Sequence, residues 1–176
     1  SLEAQAYTIV SLLDHLQIES AVFVGHSLGG AITLAAAQRH PDRVKALALI
    51  APLTHLPERP SPAFKSLDVP SPVIRKMLAW TLAIPGTLYR MSLSLKIIFG
   101  PEKPPADFAI RGGGILALKP QTFISASSDL QNVSWSMPQI EAAYASMKLP
   151  VHGLFAKEDR IWDCKLNGED LPSSIS

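Results

Sequence analysis

Ser27 stands in the pentapeptide Gly25-His26-Ser27-Leu28-Gly29, a G-x-S-x-G pattern followed at once by Gly30. A serine hydroxyl is a weak nucleophile until it is held in the open and a base can take its proton. The pattern meets the first condition when the serine sits on a sharp turn between a strand and a helix. Glycines two places before and two places after the serine let that turn close, because a side chain there is expected to crowd the neighbouring strand or the helix start. A helix beginning directly after Ser27 would aim unpaired N–H groups and a positive dipole end at a developing negative oxygen. The Leu28 backbone N–H is then the candidate oxyanion donor. The chemistry that fits is attack of Ser27 Oγ on a carbonyl carbon.

Three fixed positions recur easily by chance, so the flanking elements decide the matter. Ala21-Val22-Phe23-Val24 is a short uninterrupted apolar run, the pattern of a strand buried on both faces of a parallel sheet. After the turn, residues 31–39 are alanine-rich and read as a helix that His40-Pro41 terminates. Residues 44–51 (VKALALIA) form a second strand, so 21–51 make a βαβ unit with parallel neighbours. Upstream, Leu2, Ala6, Ile9, Leu13 and Leu16 fall at helical spacing over residues 2–17. A third strand is expected at 151–156 (VHGLFA). Between the second and third strands the composition changes: ten of the fifteen prolines lie in residues 52–105, followed by Gly112-Gly113-Gly114. This stretch reads as a helical insertion, with helices expected at 73–84 and 87–99, broken by Pro85-Gly86, and at 115–128 and 138–147. The expected division is 1–52, 53–147 and 148–176.

Length and composition suit one ordinary globular domain, with 176 residues, 47% hydrophobic and 18% charged. Sixteen basic and fifteen acidic side chains leave a net charge of +1, which argues against a nucleic-acid partner. Cys164 is the single cysteine, which rules out an internal disulfide framework and leaves a reducing compartment or a disulfide-free secreted protein, the cytoplasm being favoured. The longest uncharged apolar stretch, 77–89, has thirteen residues, short of the roughly 20 a membrane span needs, so no transmembrane segment is expected. No metal site or cofactor motif is expected. His40-Pro41-Asp42 reads as a helix stop, and the glycine triplet lacks the lysine of a phosphate loop.

The segment VFVGHSLGGAITLAAAQRHPDRVKALALIAP resembles the central part of the α/β-hydrolase fold family, in its serine esterase, lipase and haloperoxidase-like branch. Gly25, His26, Gly29 and Gly30 then belong to the family's nucleophile elbow. A second similarity lies in LPVHGLFAKEDRI, which resembles the family's acid-bearing strand and loop and implies Asp159 as the triad acid. Ala156 stands where that family usually has glycine. Asp163 and Glu158 are local rivals, and a solvated carboxylate in the run 157–160 is the plain alternative. By the same resemblance, residues 53–147 are a cap over the site, and a small hydrophobic acyl or ester compound is the substrate class.

The family places its histidine after the acid, and His15, His26, His40, His55 and His152 all precede Asp159. Plainer roles suit them: surface helix, elbow filler, helix end, loop and strand. The family's early strands and second oxyanion donor are likewise not recognisable. The expectation is therefore a partial α/β-hydrolase fold, parallel strands flanked by helices with a helical cap, nearly inactive as this chain. An apolar strand edge at 21–24 and poor solubility follow from the same reading. Two alternatives stay open: a catalytically silent binding relative, and an acyltransferase or haloperoxidase-like enzyme using the same serine.

Overall fold

The structure, a computed structural model, describes residues 1–57 and 61–169. The chain divides into two compact units, the first built from residues 1–58 and 132–176 and the second from 59–131.

In the first unit, helix α1 (Leu2–His15) starts on Ser1, whose side chain accepts from the Ala4 N–H. It buries Leu2, Ala6, Val10 and Leu13. The expected stripe is shifted at its end, because the helix stops at His15 and leaves Leu16 exposed. Strand β1 (Ala21–His26), helix α2 (Leu28–Arg39) and strand β2 (Val44–Ile50) follow, and strand β3 (Val151–Leu154) completes a three-stranded parallel sheet in the order β1-β2-β3. The register pairs Val24 with Ala48 and Ala48 with His152. Phe23, Leu47 and Leu49 bury one sheet face in a core shared with Leu2, Leu13, Leu34, Met137, Ile140 and Tyr144.

The other sheet face differs from expectation. β1 alternates instead of burying both faces: Val22 is 57% and Val24 65% exposed, and Ile50 and Leu154 are exposed beside them. The helical core lies against Phe23 and its neighbours, and side chains of opposite parity in a strand point the other way.

In the second unit, helix α3 (Pro72–Thr81) and helix α4 (Ala83–Ile98) meet at Leu82. Pro85 does not break them there. It lies in the first turn of α4, where a missing N–H costs no intrahelical bond. Arg75 is buried and donates to the carbonyls of Val69 and Pro70 and to Ser128 Oγ, so it acts as an internal staple. Ala79, Ala83 and Phe123 form this unit's own small core. Instead of the two helices expected at 115–128 and 138–147, one helix, α5 (Pro120–Glu141), runs through and contains Pro138, its residues up to 131 belonging to the second unit and those from 132 to the first. Short 3-10 turns at Gly114–Leu118 and Tyr144–Ser146 account for the flanks of the expected pair.

After β3 the chain makes a turn at Asp159 and a short helical segment, Lys165–Glu169. Residues 170–176, the polar end of the expected 148–176 segment, lie outside the described residues.

Candidate active site

The carboxyl ends of three adjacent parallel strands converge on Ser27. β1 runs directly into it, the segment after β2 packs against it, and the turn after β3 returns to it. Crevices at the carboxyl ends of parallel strands are where ligands bind in open α/β sheets.

Ser27 has φ 53° and ψ −121°, a combination that L residues rarely adopt. Its backbone is clamped on both sides: its N–H donates to the Ile50 carbonyl at 3.1 Å, and its carbonyl accepts from Leu53 N–H at 3.0 Å and Gly30 N–H at 2.9 Å. These bonds hold the strained conformation, which turns the chain from strand to helix within one residue. Serine at a helix N-cap ordinarily spends its hydroxyl on a backbone N–H of the first turn. Here the Ser27 side chain makes no such cap bond, so Oγ is directed away from the helix. Leu28 opens α2, and its N–H is one of the first-turn donors that helix geometry leaves without an intrahelical partner.

The glycines divide the steric work differently from expectation. A Cβ on Gly25 would lie 2.6 Å from the Gly29 carbonyl oxygen and 2.7 Å from Thr33 Oγ1. On Gly29 it would meet nothing within 4 Å, whereas on Gly30 it would lie 2.3 Å from Pro52 Cβ. The second crowded position is therefore Gly30, because α2 leans on the segment after β2 through the third helical residue, not the second. His26 is exposed at the end of β1 and opposite Ile50 in register.

Asp159 is half-buried, and its Oδ1 accepts from the backbone N–H groups of Ile161 at 2.7 Å and Trp162 at 3.0 Å. This is an Asx-type turn, in which a short carboxylate stands in for a backbone acceptor. Its rivals are placed otherwise: Asp163 Oδ1 accepts from Leu166 N–H, a helix-capping task, and Glu158 is exposed. Among the described residues no histidine bonds to Ser27 or Asp159. His55 is the most engaged, with Nδ1 2.9 Å from Thr54 Oγ1 and its ring edge-on to Tyr144.

Two features escaped the sequence reading. The first is Trp162, whose indole N–H donates to Ser27 Oγ at 3.4 Å. The second is a buried polar pin. Asn167 Oδ1 accepts from the N–H groups of Thr54 and His55, Thr54 Oγ1 donates to the Asn167 carbonyl, and Tyr144 Oη donates to the Thr54 carbonyl. Burial, reinforced by the Glu141 charge, raises the Tyr144 pKa above its ordinary value of 10.0. Asx-turn spacing, an aspartate with apolar residues two and three places on, is the local signal that could have directed attention to Trp162. The pin joins residues 113 apart and has no local signal.

A cavity of about 430 Å³, lined by Gln38, Val44, Lys45, Met147 and Lys148 among others, lies at the opposite end of β2 from Ser27. No group of three or more His, Cys, Asp or Glu side chains suited to a metal ion occurs among the described residues. No described helix is long and apolar enough to cross a membrane.

The sequence profile described as alpha/beta hydrolase fold matches residues 1–95, more than half of the chain. The chain belongs to the alpha/beta hydrolase fold family. Relatives in this family include the 2-hydroxymuconate semialdehyde hydrolase of Pseudomonas sp. (strain CF600), 56% identical over 41 residues, which are 23% of this chain and 14% of that protein. The homoserine O-acetyltransferase of Thermus thermophilus is 49% identical over 47 residues, 26% of this chain and 12% of that protein. In fold, the chain is similar to a putative lipase from Acinetobacter baumannii AYE, with a TM-score of 0.71 at 18% identity. The similarity covers 100% of this chain and 56% of the lipase, so the chain spans a little over half of that structure's length. A 2-hydroxy-6-oxo-6-phenylhexa-2,4-dienoate hydrolase from Rhodococcus sp. strain RHA1 gives a TM-score of 0.70 at 19% identity, over 99% of this chain and 59% of that one. Hydrolases, lipases and acyltransferases are thus the chain's neighbours, and a parallel sheet flanked by helices is common ground.

Proposed function

We propose that this alpha/beta hydrolase chain carries the nucleophile and acid of a serine hydrolase acting on a carboxylic ester or a similar acyl compound. The observation that carries the reading is Ser27 itself, held at a positive φ between β1 and α2 with its hydroxyl released from capping duty. A base takes the Ser27 proton, Oγ bonds to the carbonyl carbon, and the carbonyl oxygen becomes an oxyanion facing the Leu28 N–H. Collapse expels the alcohol with the base's proton, and water then frees the acid and restores Oγ. Asp159 is the acid that orients the base. Gly25, Gly29, Gly30 and His26 complete the elbow. Of the insertion expected as a cap, residues 53–147, only 59–131 fold as a unit of their own, and that stretch is the part we assign to substrate choice; its exposed Met77, Trp80 and Tyr89 suit a hydrophobic acyl group.

None of the five histidines bonds to Ser27 among the described residues, so this chain alone is expected to turn over esters very slowly. Losing one member of such a triad elsewhere costs several orders of magnitude in rate. Fluorophosphonate labelling with the adduct mapped to Ser27, and lost in Ser27→Ala, is the expected result. Absence of any adduct would favour the silent binding relative, and a burst from a p-nitrophenyl ester abolished by Ser27→Ala would overturn the low-activity expectation. Similarity to homoserine O-acetyltransferase supports a second reading, transfer of the acyl group to an alcohol in place of water. Product analysis with an added hydroxyl acceptor separates the two.

A further inference from the structure

We infer that Trp162 is a positioning residue for Ser27: its indole N–H holds Ser27 Oγ in one rotamer, and the turn on Asp159 aims the indole. The inference rests on the reading of Ser27 as nucleophile and concerns residues to which that reading gave no role.

Three observations combine. The indole Nε1 lies 3.4 Å from Oγ, at the long end of hydrogen-bond range. Trp162 is half-buried and packs against the main core, so the side chain that reaches Ser27 also has apolar support. Finally, the backbone N–H of Trp162 is itself held at 3.0 Å by Asp159 Oδ1, and that of Ile161 at 2.7 Å. The same carboxylate that serves as the candidate acid therefore fixes the backbone from which the indole reaches Ser27. An Oγ freed from capping would otherwise sample three staggered rotamers. An indole can only donate, so it binds an Oγ lone pair and leaves the hydroxyl proton for a base. The acid and the nucleophile are coupled through Trp162 in addition to any base between them.

Phenylalanine at 162 keeps the ring packing and deletes the donor, which separates positioning from bulk. The chain's three tryptophans give three indole N–H signals in a 1H-15N correlation spectrum, and Trp162→Phe identifies the one that matters. Ser27→Ala and Ser27→Gly are both expected to move the Trp162 signal upfield and to hasten its exchange with water, while those of Trp80 and Trp135 stay in place. Ser27→Gly serves as a second variant because glycine tolerates the positive φ. Asp159→Asn keeps an oxygen acceptor for the turn and should preserve the signal, whereas Asp159→Ala should lose it. Fluorophosphonate labelling of Ser27 should slow about three- to tenfold in Trp162→Phe, the size of one neutral hydrogen bond. A Trp162 signal indifferent to both Ser27 variants would overturn the contact, and an unchanged labelling rate in Trp162→Phe would overturn the positioning role. If the indole responds but wild-type Ser27 takes no label, the hydrolase reading fails and the contact stands. If Ser27 labels and the indole is silent, the contact alone fails.

Discussion

Holding Ser27 at φ 53° costs about 1–3 kcal/mol, which the Ile50, Leu53 and Gly30 hydrogen bonds offset. Glycine at that position removes the strain but loosens the unfolded chain, so Ser27→Gly should raise stability by about 1 kcal/mol, read as a higher urea midpoint. Ser27→Ala should not, because alanine inherits the strain. The neighbouring glycines give opposite expectations. Gly30→Ala must push a methyl group against Pro52 and should destabilise by about 1–3 kcal/mol, whereas Gly29→Ala meets open space in a helix and should stabilise by up to about 1 kcal/mol. Thermal denaturation of the two variants side by side is the check, and equal effects would refute the assignment of steric roles.

Elements were legible where the signal was local. β1, α2 and β2 follow from apolar runs punctuated by Gly25 and His40-Pro41, and the strand ends fell within about two residues of the structure. Helices of the insertion were less legible, because proline reads as a breaker irrespective of its place: Pro85 is harmless in the first turn of α4, and α5 continues through Pro138. Asn167 and Trp162 were invisible for another reason, since each acts on residues more than a hundred positions away. Asn167 offers the strongest test among these. Removing its side chain strands the N–H groups of Thr54 and His55, so Asn167→Ala should cost about 3 kcal/mol in chemical denaturation. Tyr144 adds a pH dependence. Its raised pKa means that the folded state holds the phenol proton more tightly than the unfolded chain does, so the stabilisation is complete below pH 10 and declines as pH rises beyond it. Urea midpoints at pH 8 and pH 11 should show the decline, and Tyr144→Phe should reduce it.

The sheet carries its apolar surplus on one side. Val22, Val24, Ile50 and Leu154 form a contiguous exposed patch by register, and patches of this kind drive association in water. Apparent mass in light scattering should climb with protein concentration, and Val24→Lys combined with Leu154→Lys should suppress the climb without altering the far-ultraviolet circular dichroism. The first unit is also discontinuous in sequence. Residues 1–58 and 132–176 are joined by pairing of β2 with β3, by the shared core around Met137 and Ile140, and by the Thr54–Asn167 pin. Every one of those links is non-covalent and none runs through the glycine triplet at 112–114. A protease that nicks the chain near that triplet should therefore yield two peptides that co-elute on gel filtration and part only in denaturant, a split protein whose halves recognise each other without a tether.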